Sequence, residues 1–101
     1  MAISVTFIGF FKELVGGKRQ MTFKNHSTLL SLLREIAAHH NAFKEEIFQD
    51  SDIPAPKACS VILNGKLVSD IANCHLQDGD NITLFAPVFG GRLASYRTRN
   101  Y

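Results

Sequence analysis

A short apolar segment near the end of the chain, Leu84-Phe85-Ala86-Pro87-Val88-Phe89-Gly90-Gly91, runs through a proline into a pair of glycines. Pro87 has no N–H and fixes its own φ, so we expect a strand to end near Ala86 and the chain to leave the sheet as an extended strap. Because the glycines carry no side chains, such a strap can enter a narrow channel and bring backbone atoms against a ligand. A glycine pair by itself also fits an ordinary loop that needs positive φ.

The length of 101 residues is enough for one hydrophobic core and too small for two domains. With 46% hydrophobic and 20% charged residues, the chain has the composition of an ordinary globular protein. No apolar run approaches the roughly 18 to 20 residues of a membrane span, and Met1-Ala2-Ile3-Ser4 lacks the basic start and apolar centre of a signal peptide. We therefore expect a cytoplasmic protein without membrane contact.

The distribution of charge divides the chain directly after Gly91. Residues 1–91 hold all nine acids and eight of the eleven Lys and Arg residues, for a net charge of −1, whereas residues 92–101 hold three Arg and no acid, for +3. The sequence thus predicts a folded domain over 1–91 and a basic, flexible extension over 92–101. The Arg and Tyr residues of the extension could contact nucleic acid, but ten residues without a fold of their own favour a removable or solvated tail.

Alternating apolar and polar residues predict two strands in the first quarter of the chain. Ile3, Val5 and Phe7 share one face of the first strand, and Ile8 is an apolar exception on the other face. A second alternation at residues 19–23 follows Gly16-Gly17, which predicts a hairpin with an irregular connection.

Apolar residues at spacings of three and four then predict a helix that ends near His40-Asn41 and lies across the sheet. Ser27 or Thr28 can cap its first turn through a hydroxyl group. The residues of its apolar face are Leu29, Leu33, Ile36, Ala37 and His40. A second helical piece at residues 43–49 would pack Phe43, Ile47 and Phe48, and the proline-containing segment 51–56 reads as a loop.

Two turns organise the second half of the chain. Asn64-Gly65 suits the two-residue turn of a hairpin between residues 60–63 and 67–68, and Asp78-Gly79-Asp80 precedes a last strand at residues 81–85. The order strand, strand, helix, strand, short strand, strand predicts one layer of sheet packed on one main helix.

In these features the chain resembles the MoaD and ThiS group of ubiquitin-like sulfur carriers, most closely the small subunit of molybdopterin synthase. The resemblance covers residues 3–91 and rests on the order and spacing of several segments, each of which is unspecific alone. They are Phe-Lys-Glu-Leu-Val-Gly at 11–16, the Leu-rich helix after Ser27, Val-Ile-Leu-Asn-Gly-Lys at 61–66, and Leu-Gln-Asp-Gly-Asp at 76–80 leading to the Pro-x-x-Gly-Gly strap at 87–91.

The resemblance implies an α+β fold of the β-grasp, ubiquitin-like type, with a mixed sheet of four to five strands on one main helix. It also implies a reaction at Gly91. An E1-like adenylyltransferase of the MoeB or ThiF type uses MgATP to adenylate the Gly91 carboxylate, and sulfide from a persulfide donor displaces AMP to leave a thiocarboxylate. The chain then acts as a co-substrate whose own side chains perform no catalysis, and it holds no cofactor itself.

The resemblance further implies how partners bind. Apolar residues on the outer face of the sheet would dock the activating enzyme and the synthase large subunit of the MoaE type, and the strap would enter the partner's active site. The partner-binding residues would be Ile8, Leu67, Phe85, Pro87, Val88 and Phe89, with Gly90 and Gly91 at the reacting end. Scattered exposed apolar residues are also common without a function, whereas contiguous ones usually mark an interface.

The ten residues after Gly91 depart from the pattern of carriers that are ready for activation. While Arg92 is attached, the Gly91 carbonyl belongs to an amide and has no carboxylate oxygen to attack ATP. One interpretation is a precursor that a peptidase cuts after Gly91. The others are a protein modifier that forms isopeptide bonds to lysines through Gly91, and a non-catalytic interaction domain that has lost carrier chemistry.

The histidines and cysteines predict no metal site. His39 and His40 are adjacent on a helix, so their side chains diverge by about 100° and cannot share an ion as an i, i+4 pair would. His26 and His75 have no neighbouring ligand in the sequence. We expect Cys59 and Cys74 to be reduced, incidental thiols.

Overall fold

A mixed five-stranded sheet forms one layer of the computed structural model, which describes residues 2–49, 51–52, 54, 58–86, 88–89 and 92–93. Its strands are β1 (Ala2–Phe7), β2 (Gln20–Lys24), β3 (Ser60–Leu63), β4 (Lys66–Leu67) and β5 (Asn81–Phe85). They lie in the order β2-β1-β5-β3-β4. The central pair, β1 and β5, is parallel, and the other three pairs are antiparallel. This arrangement confirms the β-grasp prediction.

The predicted hairpin of β1 and β2 is confirmed, but its connection is partly helical. Ile3, Val5 and Phe7 are buried, whereas Ser4 and Thr6 between them are half-buried on the other face. Helix α1 (Phe10–Leu14) occupies the connection that was predicted to be irregular. It buries Phe11 completely. A helix of five residues is too short to show a helical period in sequence, so the pattern could not predict it.

Helix α2 (Leu29–His39) begins at the hydroxyl cap that the sequence offers. Thr28, and not Ser27, is the cap: its Oγ1 accepts from the N–H of Ser31 at 3.2 Å. The helix ends at His40, whose N–H bonds to the Ile36 carbonyl at 3.0 Å. Its buried side is wider than predicted, because Leu32 is fully buried as well. His40, which was predicted to lie on the apolar face, is only half-buried. The buried residues are Leu29, Leu32, Leu33, Ile36 and Ala37.

Helix α3 (Asn41–Ile47) confirms the second helical piece. Phe43, Ile47 and Phe48 are buried as predicted, and Glu46 is buried with them. The Phe43 ring lies 6.3 Å from the Phe11 ring between centroids, which joins α3 to α1. Of the predicted loop at 51–56, only residues 51, 52 and 54 are described, and they belong to no helix or strand.

The two predicted turns of the second half are both present. Asn64 and Gly65 have φ of 51° and 86°, the left-handed values that a type I′ turn requires, and they join β3 to β4. Strand β4 covers residues 66–67 and so lies one residue earlier than the predicted 67–68. Val68 lies just outside the strand, and its N–H donates to the Val61 carbonyl at 2.8 Å. A 3₁₀ turn at Ile71–Asn73 was not predicted. Asp78 binds the N–H of Ala2 at 2.6 Å and so ties the last turn to the start of β1.

The core lies between the inner face of the sheet and the helices. Among the described residues its buried members run from Ile3 to Ala86. Within the same part of the chain, no helix combines the length and the apolar character that crossing a membrane requires.

Candidate partner-docking surface

The outer face of the sheet carries the side chains that point away from the helices. Its rows follow from the registers, because paired residues of adjacent strands present their side chains to the same face. Leu67 of β4 pairs with Ile62 of β3, Ile62 with Thr83 of β5, and Thr83 with Thr6 of β1. Apolar residues therefore occupy one side of this row and threonines the other.

Ile8 lies at the end of β1, next to the last residue of β5. Phe7 pairs with Leu84, and the N–H of Ile8 donates to the Leu84 carbonyl at 3.0 Å, so Ile8 is brought beside Phe85. Its side chain is 50% exposed. Gly9 follows with φ of +60°, at which a residue with a side chain would be strained. At Gly9 the chain turns into α1.

Leu67 and Phe85 complete the set of apolar residues that the sequence placed on this face. Leu67 is 70% exposed, the highest value among the large hydrophobic residues that the structure describes. Phe85 is half-buried and alternates with the buried Ile82 and Leu84, which puts it on the outer face. Phe85 pairs with Ser60, so it lies diagonally across from Ile62.

Ile62 is a member of this surface that sequence reasoning missed. It is half-buried, it is absent from the hydrophobic residues packed on the core, and it stands between Leu67 and Thr83 in the row. The available signal was the alternation within Val61-Ile62-Leu63, in which Val61 and Leu63 contribute to the core. Because three consecutive apolar residues hide that alternation, only the register reveals it. We call Ile8, Ile62, Leu67 and Phe85 the outer patch.

The strap follows the outer patch directly. Strand β5 ends at Phe85 and Ala86 is buried, in agreement with the predicted end of the strand. Val88–Phe89 forms a short strand, β6, that pairs antiparallel with β7 (Arg92–Leu93) through the partners Val88↔Leu93 and Phe89↔Arg92. The beginning of the predicted extension is thus paired in the structure. Pro87, Gly90 and Gly91 lie outside the described residues, so their roles stay predictions.

His26, Cys59 and Cys74 are potentially reactive side chains that lie outside the outer patch. His26 bonds to Ser31 Oγ at 3.0 Å and also to Glu35, which holds the connection between β2 and α2. Burial raises the pKa of the Cys59 thiol to about 12. The pKa of Cys74 is also raised, first by partial burial and then by Asp80 and Asp70. Within the described ranges, no three His, Cys, Asp or Glu side chains lie where they could hold a metal ion together.

A mixed sheet in this order with α2 across it defines a ubiquitin-like β-grasp domain. The profile of the ThiS family matches residues 5–91, most of the chain, so this protein belongs to the ThiS family of ubiquitin-like sulfur carriers and modifiers. The matched segment ends at the second glycine of the strap.

Relatives of known identity agree with this assignment. Small archaeal modifier protein 3 of Haloferax volcanii is 27% identical over 94 residues, which cover 90% of this chain and all of that protein. The crystal structure of SAMP1 from the same organism has a TM-score of 0.74 at 22% identity and covers 90% of this chain and 100% of its own, a likeness of fold.

A third relative occurs in a complex. A chain of the complex of subunits 1 and 2 of molybdopterin-converting factor from Helicobacter pylori is 28% identical, with a TM-score of 0.56, and the match covers 90% of this chain and 100% of that one. Members related to this protein thus include one that assembles with a second subunit.

Proposed function

We propose that this protein is a sulfur carrier whose Gly91, once residues 92–101 have been removed, is converted to a thiocarboxylate in the cytoplasm for molybdopterin biosynthesis. The observation that carries the proposal is the end of the family match at Gly91, where the charge of the chain also changes. The outer patch and the strap that follows it support the proposal, because they join a docking surface to the reacting end.

The chemistry proceeds in three steps. A peptidase first adds water across the amide between Gly91 and Arg92, which creates the Gly91 carboxylate. An oxygen of this carboxylate then attacks the α-phosphate of MgATP on an E1-like adenylyltransferase, and pyrophosphate leaves. The terminal sulfur of a donor persulfide finally attacks the acyl carbon and releases AMP, and a thiol then reduces the resulting acyl disulfide, which leaves the thiocarboxylate at Gly91 and a disulfide on the donor side. The acyl-adenylate is needed because AMP is a far better leaving group than the oxide of a free carboxylate.

The residues of this chain supply docking and reach. Ile8, Leu67 and Phe85 of the outer patch would bind the activating enzyme and later the synthase large subunit, and Ile62 extends the same surface. Pro87, Val88 and Phe89 would line the partner's channel, and Gly90 and Gly91 would let the acyl carbon approach the phosphate. The Helicobacter pylori complex of subunits 1 and 2 supports the second partnership.

The intact mass of the protein from its own cells tests this function. We expect the mass of a chain that ends at Gly91, and in a fraction of the molecules we expect one oxygen of the Gly91 carboxylate to be replaced by sulfur. In a matched assay, a chain ending at Gly91 should cause its activating enzyme to release pyrophosphate from ATP, and the 101-residue chain should not. The shortened chain keeps the whole described core, which ends at Ala86. If the chain still ends at Tyr101 while the pathway is active, the carrier function is wrong, and the remaining interpretation is a non-catalytic interaction domain.

The likeness to small archaeal modifier protein 3 favours a second candidate, in which the same activated Gly91 forms isopeptide bonds with lysines. Trypsin would leave all of residues 67–91 on a target lysine, because no Lys or Arg lies between Lys66 and Arg92. Chymotrypsin cuts after Phe89 and would leave only Gly90-Gly91. Lysines carrying this diglycine would establish the modifier, and a thiocarboxylate without such lysines would support the carrier alone.

A further inference from the structure

A cleft of about 540 Å³ opens where β1 ends and α1 begins. Ile8 and Phe10 contribute apolar surface to its lining, and Gly9 between them contributes no side chain. The lining also includes Thr6 and Phe7 of β1, two cationic residues, Lys12 of α1 and Arg19 before β2, and one carboxylate, Glu13. The cleft therefore combines apolar surface with mainly basic charge.

The basic groups of this cleft are available to bind a ligand. Neither Lys12 nor Arg19 forms an ion pair with any residue in the described part of the chain. The lining therefore holds two cations, Lys12 and Arg19, against the single carboxylate of Glu13. A cleft with an excess of positive charge attracts carboxylates and repels cations.

The cleft is continuous with the outer patch. Ile8 belongs to both, and the bond of its N–H to the Leu84 carbonyl holds it beside Phe85, the last residue of β5. A protein that covers the outer patch and receives the strap must therefore also approach the cleft. The opposite end of the sheet differs in charge, since Asp78 and Asp80 lie there beside the start of β5.

We propose that this cleft is a second docking subsite, which takes an acidic and apolar segment of the activating enzyme: one apolar side chain against the exposed Ile8 and carboxylates at Lys12 and Arg19. This inference rests on the proposed function. The activating enzyme is the occupant because the carrier and the modifier both need it. The apolar side chain supplies affinity through burial, while the carboxylates orient the two proteins so that the strap faces the ATP site.

Charge-reversed variants of the chain ending at Gly91 test the subsite. Lys12→Glu and Arg19→Glu should each weaken binding to the activating enzyme about tenfold, and the double variant more, because rim charges act mainly on orientation and on the association rate. Lys24→Glu is the matched control: Lys24 is exposed and pairs with Ala2 at the opposite end of β1. Raising the salt concentration should weaken the unchanged chain more than the double variant.

The outcomes separate the subsite from the function on which it rests. Loss of affinity in the two cleft variants but not in Lys24→Glu, with amide shifts at residues 8–13 and 19 on titration of the enzyme, supports the subsite. If the cleft variants bind and are adenylated like the control, the subsite is wrong and the proposed function stands. If the unchanged chain neither binds the enzyme nor is adenylated, both are wrong. If a charge-reversed variant does not fold, the neutral variant Lys12→Gln or Arg19→Gln takes its place in the same binding measurement.

Discussion

The N–H of Ile8 donates to the carbonyl of Leu84 at 3.0 Å, and this bond joins the end of the first strand to the end of the last described strand of the sheet. Two segments that are more than seventy residues apart in the chain thereby form one apolar surface. The same contact places Ile8 of the outer patch beside Phe85, the last residue of β5.

Leu67 provides the clearest test of the outer patch, because a 70% exposed side chain contributes little to the core. Leu67→Asp should weaken binding to the activating enzyme by about tenfold or more, since apolar burial is lost and a charge is desolvated. The unfolding temperature should stay unchanged. Ala42→Asp, at an exposed position of α3, is the control for added charge. Equal binding by both variants would remove Leu67 from the interface.

Phe11 tests the helix that sequence reasoning missed. Its side chain is fully buried and its ring contacts the Phe43 ring, so Phe11→Ala should lower the free energy of unfolding by about 3 to 5 kcal/mol. The neighbouring Phe10 is only partly buried, so Phe10→Ala should cost clearly less. Urea unfolding followed by circular dichroism measures both. Similar losses of unfolding free energy in the two variants would contradict the prediction that Phe11 contributes more to the core than Phe10.

Thr28 tests the start of α2. Thr28→Ala removes the hydroxyl that accepts from the Ser31 N–H and should cost about 1 kcal/mol of stability. Thr28→Ser keeps the hydroxyl and should restore most of that loss. Ser27→Ala, at an exposed position with no capping bond, should change the unfolding free energy by less than either. If Ser27→Ala is the costlier change, the cap is assigned to the wrong residue.

The two cysteines should differ in reactivity. Burial raises the pKa of Cys59 to about 12, and the thiolate is the reactive species, so iodoacetamide at pH 8 should leave Cys59 unmodified in the folded protein. Cys74 is half-exposed and should react, though more slowly than a free thiol because its pKa is raised too. Peptide mass mapping reads both sites, with urea-unfolded protein as the control in which both react.

The same shift predicts a loss of stability in alkali. A thiol whose pKa is raised on folding favours the folded state below the pKa of the unfolded chain, and this contribution is lost as the pH rises from 9.0 towards about 12. Cys59→Ala should therefore reduce the fall in unfolding free energy over this interval, whereas Cys74→Ala should reduce it less. An unchanged fall in Cys59→Ala would show that other groups cause it.

The amino-acid sequence by itself determined the local elements and the family of this protein. Alternation predicted β1 and β2, the Asn64-Gly65 pair predicted a hairpin, and a hydroxyl residue predicted the start of α2, because each depends on neighbours within a few residues. The order and spacing of several segments, ending in the strap at 87–91, indicated the family, because such an order can be read from the chain without its fold.

Only the tertiary structure decided which apolar residues share a surface. Ile62 lies in an unbroken apolar run, so its face depends on pairing with Leu67 and Thr83 and not on the run itself. Helix α1 is likewise too short for a periodic signal and forms because Phe11 is buried against Phe43. The cleft at Lys12 and Arg19 forms where the end of β1, helix α1 and the residue before β2 come together. Such features depend on contacts between distant parts of the chain, and those contacts exist only once the sheet has assembled.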